Sequence, residues 1–263
     1  MPDPTDDDLW LRCYRPVESP VARLVCFPHA GGTAPFYRPV PFALNTADRV
    51  EVLAVQYPGR QDRRHEEPIA DMHALADGVF AVLARRPRLP LVLFGHSMGA
   101  VVAFEVARRC ERAGLPVARL IVSGRRGPAV EQAPARNVHA MTDAAIMDEI
   151  RRLDGSASIV LSDPDMMAAA LPSLRADYRA IETYRVGAEA AVGCPVTSLS
   201  GDQDPMTSVA EAGEWRTHTT GEFDLRVFPG GHFFLVEQMP RVIDILDRHL
   251  SDVVSDHVAE VVG

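Results

Sequence analysis

Short runs of apolar, often β-branched residues alternate along the chain with longer stretches whose apolar positions recur at helical spacing. The strand-like runs are Leu9–Tyr14, Arg23–Phe27, Val50–Gln56, Pro90–Phe94, Leu120–Ser123, Pro195–Ser200 and Asp224–Phe228. Several are apolar without interruption, such as Leu91-Val92-Leu93-Phe94, which suits parallel strands covered on both faces. Helical patterns occupy Met72–Arg86, Met98–Ala113, Ser208–Thr217 and Phe234–Leu250; in the last, Val242, Ile245, Leu246 and His249 share one face. This alternation predicts an α/β protein with a mostly parallel central sheet flanked by helices.

One segment departs from the alternation. From about Gly127 to Gly193 no strand is convincing, and helical patterns cover Asp143–Leu153, Pro164–Leu171 and Leu174–Tyr184. Connections in α/β units run to about 2–6 residues, so a helical lid inserted above the sheet explains this stretch better than a loop. Its methionines (Met141, Met147, Met166, Met167) read as core packing. The whole chain is then a single domain with a lid insertion at about 127–193, and its ends, Met1–Asp8 and Ser251–Gly263, are expected to fray.

The chemistry concentrates where strands end. Gly95-His96-Ser97-Met98-Gly99 joins the strand Leu91–Phe94 to the helix beginning at Met98. On its own a G-x-S-x-G pattern is common. Between a strand and a helix it is a sharp elbow that exposes a serine hydroxyl, and the flanking glycines relieve the crowding. Ala100, Ala103 and Ala107 let the helix approach the sheet closely. A serine needs a base, and in this arrangement acid and histidine follow it in the chain. His232, in Gly230-Gly231-His232, lies between the last strand and the last helix and is the candidate base. Six other histidines (His65, His73, His139, His218, His249, His257) read as surface or helix residues.

The orienting acid belongs after the strand Pro195–Ser200, where the sequence reads Gly201-Asp202-Gln203-Asp204-Pro205. Asp204 is favoured because the following proline fixes a turn; Asp202 stays open as the alternative. Phe27-Pro28-His29-Ala30-Gly31-Gly32 follows the strand Arg23–Phe27, where an oxyanion loop belongs. The backbone N–H groups of Ala30 and Met98 are the candidate oxyanion donors.

Composition narrows the class. Of 263 residues 47% are hydrophobic and 24% charged, as in an ordinary globular enzyme, and a formal charge of −9 disfavours nucleic acid as a partner. No apolar run approaches the roughly 20 residues that cross a bilayer, and Met1–Asp8 does not read as a signal peptide, so the expectation is a cytoplasmic protein with no membrane partner. Cys13, Cys26, Cys110 and Cys194 are scattered and read as buried free thiols, with no metal-ligand spacing.

Five stretches taken together resemble the stand-alone type II thioesterases that accompany polyketide synthases and nonribosomal peptide synthetases. They are Cys26–Gly32, Gln56-Tyr57-Pro58-Gly59-Arg60 with Arg63, Phe94–Gly99, Leu171–Tyr178 and Gly230–Leu235. The resemblance implies an α/β-hydrolase fold and no metal or cofactor. It also implies hydrolysis of acyl groups from the phosphopantetheine arm of an acyl or peptidyl carrier protein, clearing stalled chains. His29, Gly31 and Phe233 become candidate substrate-binding residues beside Ser97, Asp204 and His232. Arg60, Arg63, Arg64, Arg125 and Arg126, which follow strands on the same sheet edge, become candidates for steering the carrier. The residues alone leave open a product-releasing thioesterase, a carboxylesterase, and a non-catalytic carrier-binding adaptor.

Overall fold

The computed structural model describes residues 9–130, 137–154 and 164–262. Among the described residues, seven strands form one sheet in the order β1-β3-β2-β4-β5-β6-β7: β1 Leu11–Cys13, β2 Ala22–Phe27, β3 Val50–Val55, β4 Leu91–His96, β5 Val117–Ser123, β6 Val196–Gly201 and β7 Phe223–Phe228. All neighbours are parallel except β1, which runs antiparallel to β3 at the edge. The continuous apolar runs are explained by two cores, one on each face. Val25, Phe27, Leu53, Val55, Leu91 and Leu93 point into the first, with the helices Met72–Leu83 and Met98–Arg112. Leu24, Cys26, Val52, Ala54, Val92 and Phe94 point into the second, against Val242, Leu246 and Leu250 of the C-terminal helix. Period-two alternation buried on both sides leaves no polar face to read.

Strand β2 pairs with β3 on one side and β4 on the other. The chain therefore reverses its direction of travel across the sheet at the β2/β4 boundary. Ligands in open α/β sheets bind at such a switch point, beyond the carboxyl ends of the strands. Phe27 stands opposite Gly95 in the register, so the loops beginning at Pro28 and Ser97 leave the sheet side by side.

Between β5 and β6 the described residues form a short turn Val138–Ala140 and the helices Asp143–Asp154 and Pro164–Thr183. Where the pattern predicts separate helices at Pro164–Leu171 and Leu174–Tyr184, one helix of 20 residues runs through Pro172. An interior proline forfeits a backbone hydrogen bond. The second half is held regardless, because Leu174 and Tyr178 bury against Val138 and Ile146. Met167 is buried and Met141 packs on that cluster, whereas the side chain of Met166 lies outside the described residues.

Other boundaries shift for local reasons. The helix expected over Ser208–Thr217 is α-helical from Val209 to Gly213, capped by a reciprocal Ser208–Glu211 pair, and tightens to a 3-10 turn over Glu214–His218. The last helix divides at Gln238, and Pro240 falls in the first turn of Met239–Val262, where its missing N–H is harmless. Its far end corrects the expectation of a frayed tail: the helix continues past Ser251, and Val254 is buried in the second core. Met1–Asp8 lies outside the described residues. Cys26, Cys110 and Cys194 are buried, but Cys13, expected to be buried, is exposed on the edge strand. His218 is likewise enclosed, bonded through Nδ1 to the Ala190 carbonyl at 2.6 Å. No described helix is long and apolar enough to cross a membrane.

Removing residues 252–263 should cost about 1–2 kcal/mol of stability through loss of Val254 burial, read as a lower urea midpoint. An unchanged midpoint would show that this turn contributes nothing.

Candidate active site

The site is built from the elbow outward. Ser97 has φ 55° and ψ −115°, a conformation most side chains avoid, at the junction of β4 and the helix Met98–Arg112. Its N–H donates to the Ser123 carbonyl at 2.7 Å, pinning the turn to β5. The turn is crowded: a Cβ on Gly95 would run into the Gly99 carbonyl, and one on Gly99 into the Phe27 carbonyl. The alanines Ala100, Ala103 and Ala107 are fully buried where the helix meets the sheet.

Three distant stretches converge here. His232 Nε2 lies 2.9 Å from Ser97 Oγ, and His232 Nδ1 lies 2.9 Å from Asp204 Oδ2. A carboxylate only accepts, so Nδ1 carries the proton and Nε2 is left to accept from the serine hydroxyl. Asp204 is fully enclosed and its Oδ1 accepts the Met206 N–H at 2.7 Å, fixing the carboxylate in place. Asp202 is exposed, and its Oδ1 instead accepts the Gly230 N–H at 3.0 Å, so it braces the histidine loop. The geometry thus joins Asp204, and not Asp202, to His232.

Imidazole and phenyl rings pack around His232. His96 and Phe233 each have ring centroids 5.2 Å from His232, and His29 sits 4.9 Å from Phe233. His96 is also tied by Nδ1 to Ser123 Oγ at 3.0 Å. Burial, reinforced by His232 and Arg60, pushes the pKa of His29 down to about 3; burial, reinforced by His232 and His29, pulls His96 well below its ordinary value. Both therefore stay neutral near pH 7, so neither opposes a positive charge developing on His232.

A cleft opens in front of Ser97 and His232. Ala30 and Met98 line it, together with Arg125 and Met206 from the sheet side and Tyr178, Ile181 and Glu182 from the helix Pro164–Thr183. Met98 opens its helix, where backbone N–H groups lack intrahelical acceptors. Ile181 and Glu182 lie three and four residues after Tyr178, on one face of that helix, a signal visible in the sequence but not assigned to a site. His29, Gly31 and Phe233 do not line this cleft; they are half-buried beside it, and the Gly31 N–H is taken by Asp177 at 2.8 Å.

The arginines proposed to steer a partner are mostly internal, which corrects that expectation. Arg60 makes a buried two-point bond to Asp177. Arg63 bonds Glu66 and the Gln56 carbonyl while stacking over Trp10, and Arg126 bonds the Met206 carbonyl. Buried in this way, these guanidiniums are not presented to a partner at the surface. Arg64 remains exposed, and Arg125 faces the cleft with its pKa lowered to about 10 by burial and by Arg126.

A mostly parallel sheet whose switch point carries a strained serine, with a histidine and an aspartate from the loops after β7 and β6 in hydrogen-bonded succession, defines an α/β-hydrolase-fold serine hydrolase. Within that class the chain belongs to the thioesterase family: the thioesterase domain model matches residues 22–250. It is 49% identical over 244 residues to a probable cadicidin biosynthesis thioesterase of Streptomyces griseus, covering 92% of this chain and 66% of that protein. It is 45% identical to the thioesterase PikA5 of Streptomyces venezuelae, covering 93% of this chain and 86% of the relative. Among solved structures, the type II thioesterase BorB from the borrelidin biosynthetic cluster superposes with a TM-score of 0.86 at 47% identity, over 92% of this chain and 98% of BorB.

The half-buried histidines whose pKa values are lowered predict acid sensitivity. Burial, aided by Arg119, lowers the pKa of His249 to about 4, so the unfolded chain binds more protons than the folded one below about pH 6.5. Their contribution to stability is complete above that pH and is lost as pH falls towards about 4 for His249 and about 3 for His29. The urea midpoint should fall between pH 7 and 5, before carboxylates titrate, and His249→Gln should flatten the slope. A level wild-type profile would contradict this.

Proposed function

We propose that this protein is a stand-alone type II thioesterase that removes acyl groups from the phosphopantetheine arms of acyl or peptidyl carrier proteins in a polyketide or nonribosomal peptide assembly line, acting in the cytoplasm. The observation that carries the reading is the unbroken bond sequence Ser97–His232–Asp204 at the head of a cleft walled on one side by an inserted helix. The cadicidin biosynthesis thioesterase and BorB of the borrelidin cluster, both biosynthetic by name, support the substrate class.

In this reading Ser97 Oγ attacks the thioester carbonyl carbon while His232 Nε2 takes its proton, and Asp204 stabilises the imidazolium. The tetrahedral oxyanion is held by the N–H groups of Ala30 and Met98. Collapse breaks the C–S bond, and the His232 proton passes to the departing thiolate. Water, deprotonated by His232, then attacks the acyl-serine; the ester bond breaks, the acid leaves, and the proton returns to Ser97. The chain acts as one α/β-hydrolase domain, and the helices between β5 and β6 form a lid shaping the acyl channel. Tyr178 and Ile181 supply its apolar wall, and Arg125 and Glu182 its polar points.

Ser97→Ala should lower kcat on acyl thioesters by about 10⁴-fold or more, and Asp204→Asn by about 10³–10⁴-fold, while Asp202→Asn changes kcat little. Steady-state turnover of N-acetylcysteamine thioesters reads all three; unchanged turnover in Ser97→Ala would end the catalytic reading. Carrier proteins loaded with acetyl, propionyl or a full-length product separate editing from release. Faster clearance of the short units is expected, and preference for the finished chain would reassign the enzyme to product release.

A further inference from the structure

Asp177 sits on the inserted helix with a fully enclosed side chain. Arg60, 117 residues away, meets it with both terminal nitrogens, Nη1 to Oδ2 at 2.7 Å and Nη2 to Oδ1 at 2.8 Å. The same Oδ2 accepts the Gly31 N–H at 2.8 Å, and Arg60 Nη1 also donates to the Gly32 carbonyl at 3.3 Å. Gly31 has φ +73°, and a Cβ there would run into the side chain of Leu174, one helical turn before Asp177. The helix therefore both packs closely on Gly31 and binds it. Ala30, the residue before Gly31, lines the cleft with Ser97.

A buried ion pair of this kind adds little stability over apolar residues of the same shape. What it does supply is direction. The peptide joining Ala30 to Gly31 is planar, so fixing the Gly31 N–H leaves only the Ala30 dihedrals to orient the Ala30 N–H. We propose that Asp177 is a positioning residue: by binding the Gly31 N–H and Arg60 together, it sets the oxyanion loop in working shape only while the inserted helix is docked. The elements that close the acyl channel and the elements that stabilise the oxyanion are thereby one mechanical unit. This inference rests on the thioesterase reading above.

The test compares Asp177→Asn, Asp177→Leu and the double variant Arg60→Met/Asp177→Leu, assayed well below all their melting temperatures. Substrates are short-chain acyl thioesters of N-acetylcysteamine, and a trifluoromethyl ketone that adds Ser97 reads binding of the tetrahedral oxyanion. Asp177→Leu strands the Arg60 charge and should lower both the melting temperature and kcat. The double variant should recover the melting temperature and still lose kcat by about 10–100-fold, with KM within about two-fold. The ketone should weaken by a matching factor. Asp177→Asn keeps an oxygen for the Gly31 N–H and should retain more kcat than Asp177→Leu, which decides the point even if the double variant does not fold.

Recovery of wild-type kcat in the double variant overturns the proposal, as does a loss confined to KM or equal kcat in Asp177→Asn and Asp177→Leu. If the wild-type protein turns over no thioester, the thioesterase reading falls and takes this inference with it. If the wild type is active and the Asp177 variants match it, only the positioning role falls.

Discussion

The architecture depends on a close approach of backbones at the end of β4. Ser97 holds a positive φ, and the turn fits only because Gly95 and Gly99 carry no side chain between the Gly99 and Phe27 carbonyls. From that contact follow the exposure of Oγ at the sheet's carboxyl edge, the start of the elbow helix at Met98, and the nearness of the loop carrying Ala30. Strain of this sort persists only where its surroundings over-determine it. Here the Ser97 N–H bond to β5 and the alanine face of the helix do so.

Around this turn the protein manages charge by enclosure. Asp204 is the carboxylate bonded to His232, while His29 and His96 are held neutral nearby, so neither ring places a cation beside His232. Arginines that resemble a docking surface in the sequence are spent internally: Arg60 on Asp177, Arg63 on Glu66, Arg126 on the Met206 carbonyl. Arg125 is the member of that group placed in the cleft itself.

The segment between β5 and β6 is anchored to its neighbours by buried polar contacts. Glu105, buried in the elbow helix, accepts from Tyr184 Oη at 2.9 Å as well as from Arg108 and Arg109. With the Arg60–Asp177 contact, this ties the end of the inserted helix to the elbow helix and its middle to the loop after β2. Two buried polar anchors in a mostly apolar contact set register where hydrophobic packing alone tolerates sliding.

By itself the sequence determined the strand–helix alternation, the elbow at Ser97, the histidine at 232 and the helical character of the insertion. These follow from local rules: period, glycine placement, and order along the chain. It favoured Asp204 through the proline that follows but left Asp202 open, because both sit in one turn and only the direction of a side chain separates them. It read Pro172 as a break and the residues after Leu250 as a tail, since the contacts that carry the helix through each, Leu174 and Tyr178 in one case and Val254 in the other, are long-range. Tertiary structure alone decided that Arg60 turns inward to Asp177. Whether a charged side chain faces solvent or a partner depends on what lies opposite once the chain has folded, and nothing within several residues of Arg60 reveals a carboxylate 117 positions away.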